Sequence, residues 1–464
     1  MVRLGRRASG RGKSGAPGAR RHPAHVCIVS RKDLTNNTRV HRQAAALDAA
    51  GYRVTVVCPA PPAPGLRQRT PQVAYRTVPV FNTEAGGVSP APSSQPGAAS
   101  APAAMRPSAV RRHFRAVWNA VVRPWNPLRT TFRYRRRVLG VMAGASVDLV
   151  QAHDAPALAA AAALARRCEA ELLYDAVEIT EYRLHSREDT PGGTQLAARL
   201  AAAYKTFPRS VANALDRRAL RRCGRVIAVS EGVAQWYARH RGVSTPAVIR
   251  NCRDYHPWLE DHRLRRDCGL SDSARVVLWF GYTYPAQGIE RLIEAAAHTP
   301  EHVHFLLLTM TMPRWEAFAE SIHAAAAASP AAHRIFFRPA RAPDDLVAYA
   351  SGADIGIIPR PNVGPNVAYS LPNKFFEMVM ARLPIAVSDV PDMRSLVERY
   401  DIGRVFDEND STSVAETVSS MLDPTTLHTL KTNADTAAQE LNWAVERRRY
   451  VSVIDACVSG SAYS

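Results

Sequence analysis

Short runs of β-branched and other apolar residues alternate along the chain with longer stretches in which apolar positions recur every three or four residues. The short runs predict strands, and the longer stretches predict helices, for example at 39–50, 156–167 and 231–240. Near-continuous apolar strands that alternate with helices are typical of parallel sheets covered on both faces. The predicted strands lie at 25–30, 54–58, 73–75, 149–152, 172–174, 226–229 and 247–249, and again at 276–280, 303–308, 334–337, 355–358, 385–387 and 403–406.

The alternation is interrupted near 254–272 and then resumes, which predicts an α/β chain of two Rossmann-like, doubly wound domains facing each other across a cleft. Ligands of such sheets bind beyond the carboxyl ends of the strands, so the loops there are the candidate sites. The predicted segments are a disordered basic tail (1–22), an N-terminal domain (23–253) with a flexible Pro/Ala-rich insert (83–107) and basic aromatic helices (108–140), a C-terminal domain (254–440), and a helix (441–464) that crosses back to the N-terminal domain.

The composition is that of a protein without disulfides or membrane spans. Seven cysteines are present among 464 residues, with no Cys-x-x-Cys spacing, and several lie inside apolar runs. They are expected to be buried thiols in a reducing compartment. No apolar run approaches the roughly 18 residues needed to cross a bilayer, and no apolar stretch follows the basic start. We therefore expect a cytoplasmic protein.

Positive charge is concentrated in one stretch. The formal net charge is +19, and residues 106–137 hold ten arginines and no acid, together with aromatic residues such as Trp118, Trp125 and Phe132. One interpretation is a peripheral patch that binds an anionic membrane on its inner face. The other is a pair of helices with a solvated basic face. No DNA- or RNA-binding motif is present, so no specific nucleic acid is expected.

The junction from Ser370 to Glu377 is the most informative loop. Ser370 is placed to cap a helix and Pro372 to open its first turn, and the free N–H groups of a helix start suit a phosphate. Lys374 adds a full positive charge, and Glu377 could accept hydrogen bonds from ribose hydroxyls. The alternative is a capped helix with solvated side chains. The predicted ligand-binding set at this junction is Ser370, Leu371, Pro372, Asn373, Lys374 and Glu377.

Three stretches resemble retaining glycosyltransferases of family four, which have the glycosyltransferase B (GT-B) fold. They are NKFFEMVMARLPIAVSDVPDMRSLVE (373–398), LVQAHDAPALAAAAALARRCEAELLYDAVE (149–178), and RVIAVSEGVAQWY with the VIRNCRD that follows it (225–254). The opening TNNTRVHRQAAALDAAGYRVTVVCP is also similar to the family. The order and spacing of these matches cover the chain from about residue 25 to 400.

The resemblance implies roles for particular residues. Glu377 would hold the donor ribose, and His153 would lie against the donor sugar as the catalytic histidine. Gly281 and Gly288 match the glycines of the diphosphate loop. The N-terminal domain would then bind the acceptor and the C-terminal domain the nucleotide sugar.

Four residues are predicted on the acceptor side. Asn37 and Arg39 belong to the first loop, which faces the acceptor in the family. Asp154 and Glu178 follow two strands of the N-terminal domain. Asp154 could equally be the N-cap of the helix that begins near Pro156.

The sequence also departs from the family pattern. Tyr282 and Gln287 stand where the family usually has basic residues, and Tyr369 stands where the first glutamate of its paired motif belongs. Lys374 and Arg360 are the nearest cations that could compensate on the diphosphate. Tyr282, Gln287 and Arg360 therefore join the predicted donor site.

The resemblance implies transfer of a sugar from a nucleotide-sugar donor to an acceptor hydroxyl with retention, in glycan, polysaccharide or glycolipid synthesis. The acceptor would be a glycan or lipid-linked. No Asp-x-Asp, His-Glu-x-x-His or Cys/His cluster occurs, so neither a metal nor a cofactor is expected. The alternative function is a non-catalytic, glycosyltransferase-like partner subunit that binds a nucleotide sugar, which would explain Tyr282, Gln287 and Tyr369 together.

Overall fold

The computed structural model describes residues 23–34, 38–61, 70–78, 125–179, 210–211, 213–257 and 261–461. The predicted basic tail, the Pro/Ala-rich insert and Asn37 lie outside the described residues. So does the part of the basic aromatic segment before Trp125, including Trp118.

The N-terminal domain is built on a sheet of seven parallel strands in the order β3-β2-β1-β4-β5-β6-β7. Its strands are β1 (His25–Ser30), β2 (Arg53–Cys58), β3 (Ala74–Thr77), β4 (Leu149–His153), β5 (Glu171–Ala176), β6 (Arg225–Ala228) and β7 (Ala247–Val248). Its helices include α1 (Thr38–Ala49), α2 (Asn126–Val141), α3 (Ala155–Cys168) and α4 (Glu231–Arg241).

The C-terminal domain is built on six parallel strands in the order β10-β9-β8-β11-β12-β13. The strands are β8 (Arg275–Thr283), β9 (Val303–Thr311), β10 (Ile335–Pro339), β11 (Ile355–Ile358), β12 (Ile385–Ser388) and β13 (Gly403–Phe406). The helices are α5 (Arg263–Asp267), α6 (Ile289–Ala296), α7 (Glu316–Ala328), α8 (Pro343–Ala350), α9 (Pro365–Ala368), α10 (Asn373–Met380), α11 (Pro391–Tyr400), α12 (Ser411–Met421), α13 (Pro424–Glu440) and α14 (Trp443–Ser459), with 3-10 turns at Pro313–Trp315 and Ala332–Arg334.

The apolar runs form strands because both faces of each sheet are covered. Along β1, Cys27 and Val29 pack into one core cluster, whereas Val26 and Ile28 pack into the cluster on the opposite face. All six residues of β1 are buried. A strand covered on both faces has no solvated side, so its sequence lacks polar alternation.

The two domains are joined by polar contacts and by the last helix. Helix α14 packs on the N-terminal sheet through Trp443, Tyr450 and Ile454. At its start, the N–H of Trp443 donates to the carbonyl of Arg253 at 2.7 Å. The chain therefore returns from the C-terminal domain to the N-terminal domain, and the start of its last helix is hydrogen-bonded to the linker.

The predicted fold class is confirmed: two parallel α/β domains of Rossmann type are present, and every predicted strand overlaps an observed one. The end of one strand differs from the prediction. Gly281, expected in a turn after its strand, lies inside β8, which continues to Thr283 and pairs with β9 throughout. In the part of the chain that the structure describes, no helix is long and apolar enough to cross a membrane.

Candidate functional site

A cavity of about 450 Å³ opens at the carboxyl ends of β8, β9 and β11. In the C-terminal sheet the strand order reverses between β8 and β11, and ligands of doubly wound sheets bind at this switch point. The residues that line it are Arg253, Phe280, Gly281, Tyr282, Tyr284, Gln287, Leu308, Met310, Ala340, Arg341, Pro343, Leu346, Ile358, Arg360, Pro372, Asn373, Lys374 and Glu377. Most of the predicted donor residues thus meet in one place, whereas Gly288, Ser370 and Leu371 do not line the cavity.

Lys374 is a partly buried cation of this cavity. Its ammonium donates to the side-chain oxygen of Gln287 at 3.2 Å and lies 4.5 Å from the centre of the Trp279 ring. Burial and the positive charge of Arg360, against the opposing effect of Glu377, together lower the pKa of Lys374 to about 7. Lys374 therefore changes its charge close to neutral pH, and an anion in the cavity would favour the protonated form.

Gly281 makes room for this ammonium. A Cβ atom at position 281 would lie 3.1 Å from Nζ of Lys374, and the backbone there has φ of +152°. Gly288, the second predicted glycine, has a different function. Its φ is +72°, and a Cβ atom would lie 1.7 Å from the carbonyl oxygen of Pro359. Gly288 thus allows the start of α6 to pack against the backbone after β11, and it is not among the residues that line the cavity.

Glu377 is paired with a cation that the sequence reasoning missed. Arg253, in the linker between the domains, donates to Oε1 of Glu377 at 2.5 Å. Beside this pair, the Asn251 amide donates to Oδ1 of Asn373 at 2.6 Å. These contacts fix the first turn of α10 to the linker. No local pattern in the sequence distinguishes Arg253 from the other linker residues, because its partner is more than one hundred residues away.

Cations dominate the described residues that line the cavity. Arg253, Arg341, Arg360 and Lys374 are accompanied by a single acid, Glu377. Arg341, also missed from the sequence, stacks on the Tyr349 ring at 4.0 Å and binds Asp267. The guanidinium of Arg360 donates to the Ser370 hydroxyl at 3.1 Å, and burial lowers the pKa of Arg360. A site with this balance of charge attracts a polyanion.

The helix start at the cavity differs in detail from the prediction. Helix α10 begins at Asn373, with Pro372 as the preceding extended residue. Ser370 is not the cap: its hydroxyl donates to the carbonyl of Val367 and accepts from Arg360. No side chain in the described part of the chain caps this helix. Leu371 is buried in the core and does not line the cavity, whereas Pro372 and Asn373 do.

The three residues that depart from the family pattern lie in different parts of the structure. Gln287 is buried and holds Lys374, so a cation at 287 would repel that ammonium. Tyr282 lines the cavity and is 41% exposed. Tyr369 lies at the contact between the domains. Its carbonyl accepts from the Ser230 hydroxyl at 2.6 Å, and its ring fills the space beside Gly232.

His153 ends β4 at the switch point of the N-terminal sheet, where it pairs in register with Ser30. Its side chain is 2% exposed, and Nδ1 lies 3.2 Å from Oδ2 of Asp175. Burial would raise the pKa of Asp175, but Arg39 and His153 hold it well below its usual range. The carboxylate therefore stays ionised and fixes the orientation of the histidine ring. His153 is not among the residues that line the cavity.

Arg39 was predicted to face the acceptor, and the structure places it in the core. Only 3% of the residue is exposed. Its guanidinium forms two bonds to Asp175, at 2.9 and 2.8 Å, and one to the carbonyl of Ile249 at 2.8 Å. Because this group is buried and bonded on three nitrogens, Arg39 supports Asp175 and is not available to a substrate.

The Asp175 carboxylate is also connected to the last helix. Gln43 donates to Oδ2 of Asp175 at 2.9 Å and accepts from Gln151 at 2.9 Å. Gln151 in turn accepts from the hydroxyl of Tyr450 in α14 at 2.6 Å. A continuous buried chain of hydrogen bonds therefore runs from His153 to the helix that returns from the C-terminal domain.

The two other described acceptor-side residues share one cation. Asp154 caps α3 by accepting from the N–H of Ala155 at 2.8 Å, which is the alternative considered from the sequence. Lys32 bridges Asp154 at 2.8 Å and Glu178 at 3.2 Å. Burial lowers the pKa of Lys32, and the two carboxylates more than offset that effect. Asp154 is buried, whereas Glu178 is partly exposed. Within the described ranges, no group of acids, histidines and cysteines is arranged to hold a metal.

Two glycosyltransferase family models match the chain. A "glycosyl transferase 4-like domain" matches residues 36–252, and "glycosyl transferases group 1" matches residues 274–424. Comparison with curated proteins finds no match.

Solved structures share the fold over almost the whole chain. Sucrose-phosphate synthase from Thermosynechococcus elongatus has a TM-score of 0.66 at 16% identity, over 94% of this chain and 100% of that one. HepE from Anabaena, in complex with UDP and glucose, has a TM-score of 0.60 at 15% identity, over 93% and 100%. WaaG, a glycosyltransferase involved in lipopolysaccharide biosynthesis, has a TM-score of 0.56 at 15% identity, over 92% and 99%. The family matches to both domains, together with this shared fold, support a GT-B glycosyltransferase.

Proposed function

We propose that the chain transfers a sugar from a nucleotide-sugar donor to an acceptor hydroxyl with retention of configuration, in the synthesis of a glycan, polysaccharide or glycolipid. The observation that carries this proposal is the cavity at the switch point of the C-terminal sheet, with four cations and one acid. A nucleoside diphosphate supplies the complementary charge. HepE was solved with UDP and with UDP-glucose, so uridine donors are the first to test.

The diphosphate lies against the start of α10 in this proposal. There the backbone N–H groups carry partial positive charge, and Lys374 supplies a full charge at the same turn. As the bond from sugar to phosphate breaks, negative charge grows on the leaving phosphate. Lys374 and Arg360 stabilise this charge in the cavity. With these charges provided by side chains, transfer proceeds without a metal.

Glu377 binds the donor ribose in this scheme. Its carboxylate is held in place by Arg253, and one oxygen can accept bonds from the two ribose hydroxyls while the other stays paired. Gly281 and Gln287 keep Lys374 beside the diphosphate, and Tyr282 contributes an exposed aromatic surface at the mouth of the cavity.

His153 lies against the donor sugar from the opposite domain. Asp175 accepts from its Nδ1, so Nε2 is the ring nitrogen directed away from the network. The anomeric carbon gains oxocarbenium character as the diphosphate departs, and the acceptor hydroxyl attacks from the face that the diphosphate leaves. This order of events retains the configuration and needs no protein nucleophile. Lys32 and Glu178 lie on the acceptor side, where the buried Asp154 holds Lys32 in place.

Thermal shift with a panel of nucleotide sugars tests the donor site, because a ligand bound only by the native state raises the Tm. The proposal expects one nucleotide sugar to raise the Tm of the wild type and to leave Glu377→Ala unshifted. Asp401→Ala, which changes an exposed acid of the same domain, is the matched control and is expected to shift like the wild type. Product analysis by NMR then decides the stereochemistry, and an inverted product contradicts retention.

The second candidate is a non-catalytic subunit that binds a nucleotide sugar. The neutral residues at 282, 287 and 369 favour it, because each removes a charge that the family pattern carries. Donor hydrolysis separates the two. Slow release of free sugar from the bound donor, lost in His153→Ala, supports the enzyme; tight binding with no release and no transfer to any acceptor supports the subunit.

A further inference from the structure

Three helical stretches of the N-terminal domain form a surface that the proposed glycosyl transfer does not use. They are α2, α3 and residues 213–222, and they carry five, two and four arginines, respectively. The single acid among them is Asp216. It lines a separate small cavity with Tyr174 and Tyr237, so it does not neutralise the surface described here.

A groove of about 140 Å³ lies where these three stretches meet. Four arginines stand around it, Arg135, Arg166, Arg218 and Arg222, and its floor is made mostly of alanine side chains. Among the described residues, none of the four guanidinium groups has an acidic or hydrogen-bonding partner. A groove with an apolar floor and a cationic rim fits a ligand with an anionic head and an apolar remainder.

Helix α2 extends this surface outward. Phe132 is 52% exposed and shares one helical face with Arg129, Arg133 and Arg136. An exposed aromatic residue among arginines is the pattern of a helix that lies in a membrane interface. The arginines bind headgroups, while the ring enters the boundary of the acyl chains.

The opposite face of α2 holds the helix firmly on the domain. Tyr134 and Val138 are buried in the core, and the Tyr134 hydroxyl donates to the carbonyl of Ser30 at 2.6 Å. Ser30 ends β1 and pairs in register with His153. The cationic surface is therefore rigidly connected to the edge of the sheet that carries the candidate catalytic histidine.

We propose that this surface, which we call the arginine face (α2, α3 and 213–222), docks the N-terminal domain on an anionic phospholipid bilayer, with lipid phosphates in the groove and Phe132 in the interface. The positive charge of the rim complements lipid phosphates, and the apolar floor suits the apolar part of a phospholipid. A nucleic acid would be expected to use several stacking aromatics on a strand surface, whereas this face exposes one aromatic on a helix. Docking would hold the acceptor side of the cleft at the membrane, where a lipid-linked acceptor resides.

Vesicle co-sedimentation tests the proposal with the full chain and no nucleotide sugar, so its outcome is independent of the donor site. Recovery is compared on vesicles of phosphatidylcholine alone and of phosphatidylcholine with one quarter phosphatidylglycerol. The test variant is Arg166→Glu with Arg222→Glu. The matched control is Arg394→Glu with Arg404→Glu, which changes the net charge equally on exposed arginines of the C-terminal domain.

We expect the wild type to partition at least tenfold more strongly onto the anionic vesicles than onto the neutral ones. Partitioning onto the anionic vesicles should be at least tenfold weaker in the test variant and unchanged in the control variant. Phe132→Ser should weaken binding by several-fold at high salt, where the arginines are screened. Equal recovery on both vesicles, or equal loss in the control variant, overturns the proposal. Binding of inorganic phosphate that the test variant loses, without vesicle binding, would assign the groove to a soluble phosphate and also overturn it. If the test variant has a lowered Tm, Arg166→Gln with Arg222→Gln replaces it.

Discussion

Binding of a nucleotide sugar is expected to take up a proton at Lys374. In the free protein the pKa of Lys374 is about 7, so about one tenth of the molecules carry the charge at pH 8. A bound diphosphate favours the ammonium, and the pKa of Lys374 in the complex rises. Binding at pH 8 should therefore take up close to one proton when the pKa of Lys374 in the complex lies well above the pH.

The same coupling of binding to proton uptake predicts how the affinity depends on pH. Below pH 7 the ammonium is already charged and no proton is needed, whereas above pH 7 each unit of pH costs up to about 1.4 kcal/mol, or tenfold in Kd. Between pH 6 and pH 8 the Kd should therefore rise about tenfold. A nucleotide sugar is the appropriate ligand, because its phosphates are esterified and do not titrate in this range.

Isothermal titration calorimetry with UDP-glucose, or with the donor found by thermal shift, measures both quantities in buffers of different ionisation enthalpy. Lys374→Met should weaken binding at pH 6 by about 2 kcal/mol, the scale of a charge-assisted hydrogen bond, and should remove the proton uptake. Lys431→Met is the matched control, because it removes another partly buried lysine of the same domain outside the cavity. A Kd that is independent of pH in the wild type, with no proton exchanged, refutes the reasoning.

Three further predictions concern stability and positioning. Lys374→Met should raise the Tm of the free protein at pH 6, because it removes a partly buried, desolvated charge whose nearest acid is paired with Arg253. This advantage should shrink as pH rises above 7, where the wild-type lysine becomes neutral, and a lower Tm would contradict it. Asp175→Asn should lower the free energy of unfolding by about 3–5 kcal/mol in denaturant titration, since it leaves Arg39 buried without a counter-charge. In the wild type, the stabilisation from Asp175 should be lost only as pH falls below about 4. A change under about 1 kcal/mol in the variant would reject this role of Asp175. Gly288→Ala should lower the free energy of unfolding by several kcal/mol or prevent folding, because its Cβ would overlap the Pro359 carbonyl. Gly51→Ala, also at positive φ but in open space, should lower it by only about 1 kcal/mol. Equal Tm values for the two variants would contradict this packing.

The architecture was accessible from the sequence because buried parallel strands leave a simple signal. Each strand is a short apolar run, and the turns and helices between them are polar or periodic, so β11 and β13 were predicted to the residue. The predicted strand boundaries are wrong where pairing with a neighbouring strand extends a strand past its apolar run. In β8 the ladder with β9 continues through Gly281 to Thr283, and no local propensity marks this extension.

The candidate site was accessible only where its residues belong to a local motif. Lys374 and Glu377 stand in a recognisable helix start, and Gln287 precedes a glycine that resembles the family's diphosphate loop; all three line the cavity. Arg253 and Arg341 were missed, since their place in the cavity depends on how distant segments pack.

Arg39 shows the opposite error. The family resemblance implied that Arg39 faces the acceptor, but its carboxylate partner, Asp175, lies in β5, far away in the sequence. Pairing of two buried charges depends on the fold as a whole, so no local pattern indicates that this arginine supports the core.

The most direct test of the central claim is the crystal structure of the protein soaked with the nucleotide sugar that gives the largest thermal shift. We expect a diphosphate within hydrogen-bonding distance of the Lys374 ammonium and the backbone N–H groups at the start of α10, with the ribose on Glu377. A nucleotide bound outside the cavity between β8 and β11, with Lys374 still bonded only to Gln287, would contradict it.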